Sequence, residues 1–314
     1  MTDMYRNILD SIGNTPLIEL RHVVPDGCAR ILVKLENHNP TGSMKDRMAL
    51  AVIRGAVVRD ALQSGGTVVE YTGGSTGTSL AFVCAAMGYH LSIVTSDAFS
   101  REKRDHMQAL GARILVLPSE GGRTTRELIQ RMIEKAKELS SSPTSFFADQ
   151  FNNPDAALGY EPMAREIWDQ SDHKADAFVQ SVGTAQCITG VAGGLRELNP
   201  GIQIVAVEPR ESPVLSGGAP GPHSIEGVGP GFIPPIWTDS LADEIFQVST
   251  DEAKKMARRL AREEALFAGT STGANILAAI RVASRLGRGH TVVTVACDSG
   301  LKYLSTNLYS YTED

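Results

Sequence analysis

The sequence predicts an α/β protein built on open, mainly parallel sheets with helices on both faces. Short β-branched runs alternate with helical stretches along almost the whole chain, and glycine-rich segments fall between apolar runs and helices. The strand candidates are RILVKLE from Arg30, TVVEYT from Thr67, LSIVTS from Leu91, RILVLP from Arg113, DAFVQSV from Asp176, QIVAVEP from Gln203 and TVVTVACD from Thr291. Helix candidates lie between them: TSLAFVCAAMGY from Thr78, TRELIQRMIEKAKELS from Thr125, TDEAKKMARRLAREEA from Thr250 and TGANILAAIRVASRLG from Thr272. A further helix is expected after the turn residues Asn39, Pro40 and Gly42. Ser43 would cap it, Asp46 would stand in the acidic place of a capping box, and apolar periodicity begins at Met48. The stretch from Arg210 to Ser240 is rich in Gly and Pro. It reads as a surface excursion or active-site loop, or equally as a plain long connection.

At 314 residues the chain is long enough for two domains or one large one. With 42% apolar and 21% charged residues it needs neither a disordered nor a membrane class. A formal charge of −6 without a long basic run argues against nucleic acid as a partner. No apolar run reaches membrane-spanning length, and the opening MTDMYRNILDSIGN lacks the apolar core of a signal peptide. Cys28, Cys84, Cys187 and Cys297 are far apart and form no C-x-x-C pair, which suits a reducing cytoplasm. The histidines are scattered without ligand spacing, so no metal is indicated.

Lys45 stands out because the expected helix start places it in the first turn, where exposed N–H groups and the macrodipole disfavour a cation. Either the side chain swings into solvent, or the position favours the neutral amine that attacks carbonyls. Three glycine-rich segments bear on this choice: EYTGGSTGTSLA from Glu70, SVGTAQCITGVAGG from Ser181 and FAGTSTGANILAA from Phe267. None matches G-x-G-x-x-G or the P-loop pattern. Each combines small residues, hydroxyls and a helix start, which is chemistry for holding an anion. As strand-to-helix turns they would cluster at the carboxyl ends of the strands, where such sheets bind ligands.

IGNTPLIEL, KLENHNPTGSMKDR, TGGSTGTSLA, DQFNNP, VGTAQCITG, VGPGFIP, GTSTGA and DSGLKYLST together resemble, in order, segments of the fold-type II pyridoxal-phosphate enzymes of the cysteine synthase and cystathionine β-synthase family. The matches run from about Ile12 to Thr306. The resemblance implies two parallel-sheet α/β domains of the tryptophan synthase β-like kind, with pyridoxal 5'-phosphate in the cleft. The smaller, mobile domain would cover residues 41–149, and the larger residues 1–40 plus 150–314. It also implies a homodimer, and the chain reads as a catalytic core.

By the same resemblance, Lys45 forms the Schiff base with the cofactor and acts as the catalytic base. Gly183, Thr184, Ala185, Gln186 and Cys187 cradle the phosphate, and Ser271 bonds the pyridine nitrogen. Ser75 falls where the family contacts the cofactor's ring oxygen. Thr72, Gly73, Gly74, Ser75 and Thr76, with a donor from Gln150, hold the substrate carboxylate. The implied reaction is β-replacement on an activated L-serine, O-acetylserine first among them, through α-aminoacrylate, with sulfide or another small nucleophile. The alternatives are β-elimination to pyruvate by a serine or cysteine lyase, and a degenerate regulatory paralogue.

The chain also departs from the family's patterns. The substrate loop usually reads T-S-G-N-T-G, and here Gly73 removes a hydroxyl and Ser75 replaces an amide. The phosphate loop usually runs G-T-G-G-T, and here Ala185, Gln186 and Cys187 take its last three places. DAALGYEPMAREIW replaces the usual segment after DQFNNP, which leaves the second substrate open. Glu226 lies where a phosphorylated serine would want a cation, a need that Arg210, Lys302 or another basic group would have to meet.

Overall fold

The computed structural model describes residues 5–122 and 125–310, so the first four residues of the N-terminal stretch read above lie outside it. The chain divides into two compact units, residues 1–13 with 39–159 and residues 14–38 with 160–314.

The first unit holds a four-stranded parallel sheet in the order β5-β4-β3-β6. Its strands are β3 (Thr67–Tyr71), β4 (His90–Ser96), β5 (Arg113–Leu117) and β6 (Ser145–Phe147). The helices are α1 (Lys45–Val58), α2 (Ser75–Met87), α3 (Arg101–Ala109), α4 (Arg126–Leu139) and the short α5 (Asp155–Leu158). On α4, Leu128, Met132 and Ala136 recur every fourth residue and bury against Val69, Tyr71 and Val94 of the sheet. Thr125 caps α4 by accepting from the Leu128 N–H at 3.2 Å.

The second unit holds a six-stranded sheet in the order β1-β2-β10-β7-β8-β9. Its strands are β1 (Leu17–Glu19), β2 (Arg30–Lys34), β7 (Ala177–Ser181), β8 (Gln203–Pro209), β9 (Glu244–Val248) and β10 (Thr291–Val295). All pairings are parallel except β1 with β2. Every residue of β7 and β10 is buried, as expected of central strands covered on both faces. Around the sheet lie α6 (Glu161–Gln170), α7 (Gln186–Leu198), α8 (Thr250–Glu263) and α9 (Thr270–Leu286). A capping box starts α8: the Ser249 hydroxyl accepts from the Glu252 N–H, and the Glu252 carboxylate accepts from the Ser249 N–H at 2.9 Å.

Two expectations need correction. The predicted capping box at α1 does not form: the N-cap residue is Met44, in helical conformation and without a side-chain cap bond. The Gly42 N–H donates to the Asn39 carbonyl at 2.7 Å, a turn that brings Thr41 over the helix start. The buried Asp46 carboxylate then accepts from the Thr41 N–H at 2.8 Å and the Thr41 hydroxyl at 2.5 Å. The third glycine-rich segment is not a strand-to-helix turn, since it joins α8 to α9. It reaches the sheet's carboxyl end through an isolated bridge between Ala268 and Ser299, just beyond β10.

Candidate active site

In the first unit Lys45 is the first residue of α1 and half-buried, and its N–H donates to the Ser43 hydroxyl at 3.2 Å. Its Nζ makes no hydrogen bond or ion pair among the described residues. The Thr41 and Ser79 hydroxyls lie 3.3 Å apart, so the start of α1 sits beside the opening turns of α2. The helix start and the candidate substrate loop thus occupy one end of this unit.

The loop itself is held from several sides. Thr72 extends β3: its N–H donates to the Val94 carbonyl at 3.0 Å, and its carbonyl accepts from the Thr95 hydroxyl at 2.8 Å. The Thr72 hydroxyl accepts from the Gly74 N–H at 3.0 Å. Gly74 precedes α2 at φ 147°, a conformation reserved for glycine, and no side chain caps the helix. A helix start without a side-chain cap is a place suited to an anionic group such as a carboxylate. Thr76 and Gln150 are buried, with the Thr76 hydroxyl donating to Gln150 Oε1 at 2.7 Å and Gln150 Nε2 donating to the Tyr71 carbonyl at 3.0 Å. The Gln150 amide thus holds the loop as well as lying near it.

Gly73 has a local reason of its own. A Cβ built there would stand 2.7 Å from Phe99 Cε1, so the ring occupies the space that a larger residue's side chain would need. Gly73→Ser is expected to destabilise the protein by about 1 kcal/mol through overpacking. Adding Phe99→Ala should restore part of that loss, read as the midpoint of thermal unfolding. A Gly73→Ser variant as stable as the parent would contradict this packing.

In the second unit the chain leaves β7 at Ser181 and passes through Gly183 and Thr184. Ala185 is left-handed at φ 64° and precedes α7, which has no side-chain cap. The Arg210–Ser240 excursion contains no helix or strand, and part of it forms a wall of this loop. The Gly229 N–H donates to the Val182 carbonyl at 2.9 Å, and a Cβ on Gly183 would collide with the Gly227 carbonyl oxygen. Gln186 and Cys187, the first two residues of α7, are buried.

Ser271 lies in the first turn of α9 and is buried. Asn275, one turn on and fully buried, ties α9 to two strands. Its Oδ1 accepts from the Ser181 N–H at 2.7 Å, and its Nδ2 donates to the Val295 carbonyl at 2.9 Å. The Gly269 N–H donates to the Asp298 carbonyl at 3.1 Å, and the Cys297 N–H to the Thr272 hydroxyl at 3.1 Å. The uncapped start of α7 and the start of α9 therefore meet at the carboxyl ends of the adjacent strands β7 and β10. Sequence reading missed Asn275. Its signal was one amide inside the otherwise apolar run ANILAAI.

Among the basic groups weighed for a phosphorylated substrate, Arg210 pairs instead with Glu252 at 3.0 Å on the surface. Lys302 is buried. Burial, followed by the nearby charges of Asp298 and Glu226, pushes the Tyr303 phenol well above its usual range, and its hydroxyl donates to Asp298 at 2.6 Å. No group of side chains suited to holding a metal ion occurs among the described residues. Nor is any helix among them long and apolar enough to cross a membrane.

The family model described as "Pyridoxal-phosphate dependent enzyme" matches residues 8–298. The chain belongs to this pyridoxal-phosphate dependent family. It is 45% identical over 309 residues to a cysteine synthase of Staphylococcus aureus, covering 98% of each chain. It is 41% identical over 317 residues to a probable cysteine synthase of Bacillus subtilis, covering 99% of this chain and all of the relative. Among solved structures, a cysteine synthase of Entamoeba histolytica superposes with a TM-score of 0.91 at 38% identity, over 100% of this chain and 93% of that one.

The residues present fit the cofactor that names the family. The start of α7 carries no side-chain cap and follows the left-handed Ala185, a setting suited to a phosphate. The Thr184 and Ser271 hydroxyls have no protein partner among the described residues, which leaves both for a bound group. A primary amine stands at the start of α1.

Proposed function

We propose that this pyridoxal-phosphate enzyme replaces the β-substituent of O-acetyl-L-serine with sulfide, giving L-cysteine. The observation that carries the reading is the full-length similarity to a cysteine synthase at 45% identity. The geometry supports it. In this reading Gly183 to Cys187 hold the cofactor phosphate with backbone N–H groups, aided by the Thr184 hydroxyl, and Ser271 bonds the ring nitrogen. Ser75 contacts the ring oxygen. Lys45 carries the covalent attachment. When bound, pyridoxal phosphate supplies an electron sink for the pair released as the substrate α-proton leaves.

Lys45 Nζ takes that proton from Cα and later returns it, a transfer suited to an amine at a helix start. Donors of the Thr72–Thr76 loop, the Thr72 hydroxyl among them, would hold the α-carboxylate, with Thr76 itself held by Gln150, and so fix the Cα–H bond toward Lys45. A neutral hydroxyl at Ser271 leaves the ring nitrogen largely unprotonated, which favours loss and replacement at Cβ over reactions that need a long-lived carbanion. Closing of the Thr72–Thr76 loop would exclude water and so limit diversion of the substrate to pyruvate and ammonia before sulfide adds. We place the working enzyme in the cytoplasm as a homodimer, in keeping with its reduced cysteines and its family.

The test is product analysis of the holoprotein given O-acetylserine with and without sulfide. Cysteine formation that requires sulfide, with pyruvate a minor product, is the expected result. Pyruvate released at a rate indifferent to sulfide would replace this reading with β-elimination.

A further inference from the structure

We propose that Glu70 is a positioning residue for the amino-acid substrate, setting Gln150 and, through it, the Thr76 hydroxyl at the start of α2. The proposal rests on assigning the substrate carboxylate to the Thr72–Thr76 loop.

Glu70 is the fourth residue of β3 and fully buried. Its two carboxylate oxygens take different backbone donors: Oε1 accepts from the Tyr71 N–H at 2.9 Å and Oε2 from the Gln150 N–H at 3.0 Å. The second bond answers a local need. Strand β6 ends at Phe147, and the last ladder-like bond beyond it runs from the Ala148 N–H to the Val69 carbonyl at 3.0 Å. The chain then turns at Asp149 with φ 47°, and the Gln150 N–H finds the Glu70 carboxylate in place of a strand carbonyl. From Gln150 the path continues through Nε2 to the Tyr71 carbonyl at 3.0 Å and through Oε1 to the Thr76 hydroxyl at 2.7 Å. The carboxylate thus fixes the backbone at Gln150 while the loop fixes its side chain.

Glu70 has no cationic partner among the described residues. Burial pushes its carboxyl up to about 8, opposed by the N–H bonds from Gln150 and Tyr71, with Asp149 adding to the rise. The residue facing it on β4 is Ile93, and α4 packs Leu128, Met132 and Ala136, with Ile129 and Ile133 beside them, in one apolar cluster with Val69, Tyr71 and Val94 of the sheet. A buried carboxyl kept at that cost, with both oxygens engaged beside a ligand loop, is the pattern of a site residue. A carboxyl side chain sets an oxygen against each of the two donors, whereas an amide would set an N–H against one of them.

The experiment compares holoenzyme with its Glu70→Gln and Glu70→Asp variants. For Glu70→Gln, the KM for O-acetylserine is expected to rise about tenfold, the effect of one lost buried hydrogen bond. The KM for sulfide and the visible absorbance of the bound cofactor should stay unchanged. Amide hydrogen exchange should speed up in peptides covering 71–78 and 148–153 but not in 181–190. Glu70→Asp, which keeps both acceptors on a shorter stem, should shift the same readouts less. Unchanged KM and exchange in Glu70→Gln, or faster exchange that also reaches 181–190, would overturn the proposal. If the parent enzyme does not turn over O-acetylserine, the proposed reaction fails, and the exchange pattern still decides the role of Glu70.

Discussion

Lys45→Ala is expected to lower kcat at least about 10³-fold while leaving the fold intact. Proton transfer by a positioned side chain alone contributes about 10²–10⁴-fold, and this variant loses the covalent anchor as well. Little stability should change. Lys45 begins α1 and is half-buried, alanine is a good helix former, and the contacts that secure the helix start belong to neighbours. Those contacts are the bonds from Thr41 to Asp46 and the Lys45 backbone N–H to Ser43, none of which uses the lysine side chain. Steady-state turnover and a thermal melt of the same preparation check both halves. A variant that keeps a tenth of the parent's kcat would remove Lys45 from the chemistry.

Gly183→Ala is expected to weaken cofactor binding by about 10- to 100-fold, the range for losing a hydrogen bond to a charged group. The cause is backbone against backbone. The new Cβ would meet the Gly227 carbonyl oxygen, which no side-chain rotation can relieve, so the cradle or the 227–231 segment must shift. That segment is tied to the cradle's base by the Gly229 N–H bond to Val182, so a shift on one side carries to the other. Titration of the cofactor-free protein with pyridoxal phosphate, followed by absorbance, measures the change. Equal affinity in parent and variant would mean that the loop does not carry the phosphate.

The elements legible from sequence were those whose burial is written in their side chains. Strands β7 and β10 are buried throughout, and their runs AFVQS and TVVTV show it. Strands β1 and β6 have three residues each, too few for a pattern, and depend on pairing with β2 and β3. Helix α3, REKRDHMQA, buries only Lys103 and Met107 and so lacks an apolar stripe. At the start of α1 a one-residue shift of the cap sent Asp46 to Thr41, a choice made by the Asn39–Gly42 turn and invisible to spacing rules.

The same division holds in the site. Lys45 and the glycine-rich loops stood out because they broke expectations for their local structure. Glu70 and Asn275 act through partners distant in sequence, Gln150 in one case and Ser181 and Val295 in the other. Each nonetheless left a mark as a long polar side chain next to apolar neighbours, Val69 before Glu70 and Ile276 after Asn275.

The central claim is that Lys45 holds pyridoxal phosphate covalently at the start of α1. Borohydride treatment of the holoprotein followed by peptide mass mapping tests it most directly. The account predicts one modified peptide, carrying a reduced cofactor on Lys45. Cofactor recovered on another lysine, or an unmodified protein that still binds it, would contradict the claim.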